Sequence, residues 1–337
     1  MDSRFVQMLR VVQLHYQKNG MMPDDKVVIL CNTENYEPLI DAYYSAAVAL
    51  GADAILIKYL SRPPLSGLPD YLVETIAKAD VLVDLSFVTW AYTDSWAKFA
   101  ELLQETGVRR IRGQTWGREE DVETLINTPP DTELVNRTER ALKLINSAQT
   151  IRVKSDLGTD FSIARGDPEK RIAYYPAGQV AIAPPEDSAN GVMYYVGGLR
   201  TQAPALLKRM VYEPIKIEFE NGKIVDISRK SDAGIMLDEW FRSHGDPNSY
   251  QFAHINLGLD NRVRLENLDN ISLHFNYGGI MMGFGANYDP YTFGDTVVKC
   301  QSHIDMALVG ADYYLDEHKI LEGGEFSIDS GLRLNNR

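Results

Sequence analysis

The chain is poor in cysteine, in net positive charge and in long apolar runs, and each shortage argues against a class of function. Its 337 residues include two cysteines, Cys31 and Cys300. Thiols so far apart, with no C-x-x-C pair, argue against a disulfide framework and against a thiolate zinc site. Cys31 closes an apolar run and reads as a small buried hydrophobe. Lys and Arg total 34 against 47 Asp and Glu, a formal net charge of −13. That balance disfavours a nucleic-acid partner, because phosphate binding needs clustered cations. Long apolar runs are also missing. The N-terminal stretch interrupts its apolar spacing with Arg10, Gln13 and His15, so neither a signal peptide nor a membrane span is expected, and the protein reads as cytoplasmic. What is present is an ordinary globular balance, 45% hydrophobic and 24% charged, over a length sufficient for two cores.

The first half alternates short apolar runs with amphipathic stretches. Val27–Leu30, Ala54–Ile57 and Val81–Leu85 read as strands, with Arg109–Arg112 a weaker fourth. Helices are expected over about Tyr36–Leu50, stopped by Gly51, near Ser95–Gln104, and over Asp131–Ala148. Strand and helix alternating at this interval predict βαβ units on a parallel sheet. The first strand is followed by Cys31-Asn32-Thr33-Glu34-Asn35 rather than G-x-G-x-x-G, so a dinucleotide fold loses its main support. From Thr150 the strands alternate apolar and polar residues and are joined by turns; Asn221-Gly222 inside such a run is a hairpin signal. One helix, Asp232–His244, interrupts them. The expected organisation is an α/β domain over 1–149 and an α+β domain, rich in antiparallel strands, over 150–337 that carries the chemistry.

Six histidines are present, and all but His15 lie in the second half: His244, His254, His274, His303 and His318. In Ser302-His303-Ile304-Asp305 the His-x-Asp spacing puts an imidazole and a carboxylate on one face of a strand. His254 lies in an apolar stretch that ends at Gly258, where the backbone is expected to pass close to something bound, and His274 is a lesser candidate. Gly283-Phe284-Gly285-Ala286-Asn287-Tyr288 reads as a loop approaching a ligand, and the proline-rich stretch from Tyr175 to Gly191, with Gln179 and Glu186, as a rigid connection of the kind on which sites are built.

Taken in order, Pro176-Ala177-Gly178-Gln179, Ala183-Pro184-Pro185-Glu186-Asp187-Ser188-Ala189-Asn190-Gly191, Gly258-Leu259-Asp260-Asn261, the glycine loop and His303-Ile304-Asp305 form a pattern. It resembles the aminopeptidase T metallopeptidases and their relatives, the 2,5-dihydroxypyridine 5,6-dioxygenases. The resemblance covers the second half in detail and the first only in its βαβ outline. The peptidase branch is expected to hold two metals with glutamates where this chain has Gln179 and His254, and with a histidine where it has Met281. Loss of those ligands and gain of His254 leave two imidazoles and one carboxylate, His254, His303 and Asp305, a set suited to one Fe(II) with open positions.

The dioxygenase branch implies a small hydroxylated N-heterocycle and O2 as substrates, ring opening to N-formylmaleamate in nicotinate degradation, and a homo-oligomer between dimer and hexamer. It also implies a further oxygen ligand from the neighbourhood of Asn287 and Tyr288. Gln179, Glu186 and Tyr288 are the expected catalytic contacts, with Trp90, Trp116, Tyr175, Phe284 and Tyr291 as walls. No histidine lies between His15 and His244, so the proton-accepting role that an imidazole is expected to fill in this branch would fall to Asp84, Glu186 or Tyr288.

Overall fold

Apolar positions three and four apart give Ser3–Lys18 one buried face, formed by Met8, Val11, Val12, His15 and Tyr16, and make it the first helix, α1. The computed structural model describes residues 3–33, 35–59, 68–86, 99, 101–103, 105–113, 122, 132–167, 172–174, 178–201, 208–261, 276–287 and 298–334. After α1 come β1 (Lys26–Asn32), α2 (Glu37–Ala49), β2 (Asp53–Tyr59), α3 (Asp70–Ile76), β3 (Val81–Asp84) and β4 (Arg109–Arg112). Pro38 sits in the first turn of α2, where no intrahelical N–H is needed. Gly51, at φ +89°, turns the chain out of the helix. The strands pair in parallel in the order β2-β1-β3-β4, as the alternation of elements predicts. Most of the helix expected near Ser95–Gln104 lies outside the described residues.

Chain contacts divide the molecule into two compact units, one comprising Met1–Thr132 and the other Glu133–Tyr174 with Gly178–Arg337. In the first, Val27, Ile29, Val81 and Val83 pack with Tyr16 and Tyr43, and the Tyr16 hydroxyl donates to the Tyr43 carbonyl at 3.1 Å. At the carboxyl end of β3, Asp84 is buried against Arg110, whose Nη2 and Nε donate to Oδ2 at 2.9 and 3.2 Å. The Ser86 amide and hydroxyl both donate to Oδ1 at 2.9 Å. A carboxylate that already accepts four hydrogen bonds ties β3 to its neighbours and is poorly placed to take a substrate proton.

From Glu133 onward α4 (Thr132–Ser147) belongs to the second unit, and its Leu134, Ala141 and Ile145 lie in that unit's core. Strands β5 (Thr150–Lys154), β6 (Asp160–Ala164), β7 (Ile172–Tyr174), β8 (Gln179–Ile182), β9 (Asn190–Thr201), β10 (Lys208–Glu220) and β11 (Lys223–Ile227) follow. Then come α5 (Asp232–Ser243), β12 (Phe252–Gly258), β13 (Ile280–Asn287), β14 (Val298–Leu308), β15 (Asp312–Leu315), β16 (His318–Glu322) and β17 (Glu325–Phe326). They form a 13-stranded sheet in the order β17-β16-β15-β5-β6-β9-β14-β13-β12-β8-β7, with β10 on β9 and β11 on β10. Among the described residues, its strands pair antiparallel throughout. Asn221 and Gly222 take φ of 49° and 78° between β10 and β11, the two positive values that a tight hairpin requires.

On one face of this sheet Phe161, Phe219, Phe252 and Phe284 pack together; Phe219 and Phe284 stack with centroids 5.6 Å apart. Among the described residues no helix is long and apolar enough to cross a membrane.

Candidate metal centre

Three adjacent strands build the site, and their register explains why its side chains meet. Within β12, Ile255 and Leu257 belong to the core, so His254 and Asn256, which alternate with them, point to the opposite face. Phe252 is also a core residue, although two residues separate it from His254. The register shift between Phe252 and His254 resolves the conflict: an extra residue, Ala253, is inserted opposite β13, so Phe252 and His254 turn to opposite faces. In β14, Ile304 and Met306 enter the core while His303 and Asp305 take the same face as His254.

Between the ligand-bearing strands runs β13, which pairs Gly283 with His254 on one side and with Asp305 on the other. Gly285 stands opposite His303. A Cβ built on Gly283 would lie 2.1 Å from His254 Nε2, so the missing side chain leaves the space in which the imidazole and carboxylate converge. Gly285, at φ +91°, has the Ser302 carbonyl 2.3 Å from its Cβ position. The close approach expected at Gly258 is to the chain itself, for its Cβ position lies 2.0 Å from the Asn276 carbonyl oxygen.

The His254 and His303 Nε2 atoms are 3.4 Å apart, and Asp305 Oδ1 lies 3.3 Å from the first and 3.1 Å from the second. The three residues are 3%, 1% and 3% exposed, and the burial of a carboxylate calls for a cationic or hydrogen-bonding partner. Ligands about 2.1 Å from one ion stand roughly 3.0 Å apart at right angles and roughly 3.4 Å apart at tetrahedral angles. The observed triangle therefore has the size of one face of a single-ion coordination sphere.

Hydrogen bonds on the far sides of the rings set which nitrogens face inward. His303 Nδ1 lies 2.8 Å from the Ala286 carbonyl oxygen, which can only accept, so Nδ1 carries the proton and Nε2 presents its lone pair. His254 Nδ1 lies 2.9 Å from Asn256 Oδ1, and Asn256 Nδ2 donates to Gln179 Oε1 at 3.0 Å.

Of the other residues singled out in the sequence, Asn287 is buried at the end of β13 and donates to the carbonyl of Ala253, next to His254, at 3.4 Å. Gln179 touches the centre through Asn256. Glu186 is exposed and lines an open cleft with Asp187, Lys223, Gln251 and Lys299, of which none of the three clustered residues is part. Phe284 is not a wall of the site: it pairs with Ile304 on the core face. His244 packs on Trp240, and burial lowers its pKa. Tyr288, Trp90, Trp116, Tyr175, Tyr291 and His274 lie outside the described residues.

Residue-type patterns had pointed to neither Asn256 nor Tyr195. A polar residue two positions from a candidate ligand on the same strand was the available signal for Asn256. Tyr195 is fully buried and donates to the Gly198 carbonyl at 2.6 Å; burial, aided by the nearby Asp305 charge, raises its pKa well above the ordinary tyrosine value. It is a neutral donor and not a base.

Among solved structures, that of a 2,5-dihydroxypyridine dioxygenase from Pseudomonas putida is similar at 20% identity, TM-score 0.73, over 97% of this chain and 98% of its own. Wild-type AmpT from Thermus thermophilus is similar at 13% identity, TM-score 0.62, over 95% of this chain and 99% of its own. These likenesses speak for the fold. No curated protein sequence matches the chain. The sequence profile of the 2,5-dihydroxypyridine 5,6-dioxygenase family (NicX) matches residues 7–328, and the chain therefore belongs to that family of dioxygenase enzymes.

Proposed function

We propose that the protein is a mononuclear non-haem Fe(II) dioxygenase of a hydroxylated N-heterocyclic aromatic such as 2,5-dihydroxypyridine. His254, His303 and Asp305 would hold the iron, with Asn287 as a fourth, weaker oxygen ligand. The observation that carries this reading is the buried triangle of two imidazole nitrogens and one carboxylate oxygen, 3.1–3.4 Å on a side. Neutral imidazoles with one carboxylate suit a divalent ion and leave it a net positive charge that attracts a ring hydroxylate. Gln179 and Met281 are neutral, which leaves too little negative charge for a second ion.

Bound Fe(II) supplies the one-electron chemistry that lets an aromatic ring react with O2. The chain's own residues contribute the rest. His303, tied to the Ala286 carbonyl, and His254, tied to Asn256, keep their Nε2 lone pairs turned inward. Burial of the three ligands keeps bulk water from the reacting groups. The hydroxyl proton would pass to Tyr288, the neighbour of Asn287, in its phenolate form, with Glu186 as the alternative; loss of kcat in Y288F but not in E186Q is the expected result.

The test is to purify the protein anaerobically, count metal per chain, then add Fe(II) and 2,5-dihydroxypyridine and follow oxygen uptake. One iron per chain with stoichiometric uptake is expected, and H303A and D305A should lose both. Two zinc ions per chain with hydrolysis of aminoacyl anilides would instead identify a two-metal peptidase. One iron without uptake would preserve the site and reject the substrate.

A further inference from the structure

We infer that Gln179 and Asn256 are positioning residues that fix the tautomer of His254 and so determine which of its nitrogens faces the metal. The inference rests on the single-metal reading of the site but concerns residues that touch no metal. His254, Asn256 and Gln179 form a chain of hydrogen bonds with one direction. The His254 Nδ1–H donates to Asn256 Oδ1 at 2.9 Å, and Asn256 Nδ2–H donates to Gln179 Oε1 at 3.0 Å.

All three are buried, at 3%, 2% and 2% exposure, so water cannot readily replace a lost partner. Strand geometry places them in order. Asn256 is two residues from His254 on the same face of β12, and its direct neighbour on β8 is Ala181, two residues from Gln179. The link from Asn256 to Gln179 is therefore a cross-strand diagonal, within reach of two amide side chains.

Direction matters because Asp305 Oδ1 is 3.3 Å from His254 Nε2 and competes for the imidazole proton. A proton drawn to Nε2 would block the nitrogen that must bind metal. An acceptor held against Nδ1 opposes that transfer. An asparagine can present either its oxygen or its nitrogen to the ring, and the Gln179 oxygen selects the orientation by accepting from the Asn256 amide. Both groups are neutral, so the ring is oriented without added negative charge near the ion. Such outer partners commonly change metal affinity by about 10–100-fold when removed.

The experiment compares wild type with N256L, N256D and Q179L, each checked for folding by circular dichroism. Two readouts are used: the histidine 15N spectrum of the metal-free protein at alkaline pH, and Co(II) affinity measured by chelator competition. Wild type should show His254 protonated on Nδ1. N256L should move that proton to Nε2 and weaken Co(II) by about 10–100-fold, and Q179L should do the same more weakly. N256D, whose carboxylate accepts from Nδ1–H, should restore the tautomer and most of the affinity.

Folded N256L and Q179L that keep the Nδ1 proton and wild-type Co(II) affinity would overturn the inference, and so would a wild-type His254 protonated on Nε2. If N256L does not fold, Q179L alone decides. Failure of wild type to bind any metal would sink the proposed function, while the metal-free spectrum would still test the relay.

Discussion

Gly283 faces His254 directly across β12 and β13, and a Cβ on that glycine would lie 2.1 Å from the imidazole Nε2. No van der Waals contact is that short, so the ring must leave if the position carries any side chain. Gly283 is not among the glycines with positive φ, so alanine can adopt its backbone conformation. The conflict is local. G283A should therefore fold with a circular dichroism spectrum like that of wild type, and should bind metal at least about tenfold more weakly because one ligand is displaced. Wild-type metal content in a folded G283A would show that the ring has another place to bind from.

Much of this architecture was legible in the sequence. Alternating apolar runs located the parallel sheet, and Asn221-Gly222 located the hairpin, because both signals are local and periodic. His303 and Asp305 were legible for the same reason, since a spacing of two on a strand can place side chains together. His254 needed more. On a regular strand Phe252 and His254 would share a face, and only the inserted Ala253 separates the phenylalanine in the core from the imidazole in the site. A bulge depends on pairing with another strand, so no window of sequence reveals it. Phe284 departs from its sequence signal for a related reason: glycines on both sides read as a ligand loop, yet they mark the site face of a strand whose other face carries the ring. Asn256 was invisible as a partner because Gln179 comes from β8, distant in sequence.

That division of faces predicts a separation of effects at Phe284. Its ring is fully buried, stacked on Phe219 and edge-on to Phe252 at 5.3 Å. Truncation in F284A should cost about 3–5 kcal/mol, the usual loss for a buried aromatic with a cavity left behind. Denaturant titration measures it as a lower midpoint. Metal affinity at low temperature should change far less than in G283A, although the residues are adjacent. An affinity loss equal to that of G283A would mean that the faces are not independent.

Asp238 provides a pH-dependent stability term away from the metal centre. Burial pushes its pKa up, but Arg242, with Nε at 2.8 Å, and Arg229 together outweigh that effect and hold the carboxyl below its ordinary range. A folded-state pKa below the unfolded value means the stabilisation is present above the ordinary carboxylate range and is lost as pH falls through the folded value. D238N should lower stability by roughly 1 kcal/mol at neutral pH, because both guanidinium groups are largely exposed and screened. The gap from wild type should close in acid. Urea midpoints measured across the acid range test this, and a gap that widens as pH falls would reverse the assigned sign.

Metal loading should raise thermal stability, because its proposed ligands come from two strands, β12 and β14, that flank β13 and are distant in sequence. An ion that binds the folded state alone adds about 2.7 kcal/mol when its free concentration is 100 times its dissociation constant. For a unit of this size, at roughly 2–4 °C per kcal/mol, that corresponds to a rise of roughly 5–11 °C in Tm. Scanning calorimetry under anaerobic conditions, with Fe(II) and then with excess chelator, should show a reversible shift. It should appear in the transition of the unit that carries β12–β14 and be absent from G283A and D305A. An equal shift in those variants would place the stabilising ion somewhere other than between His254, His303 and Asp305.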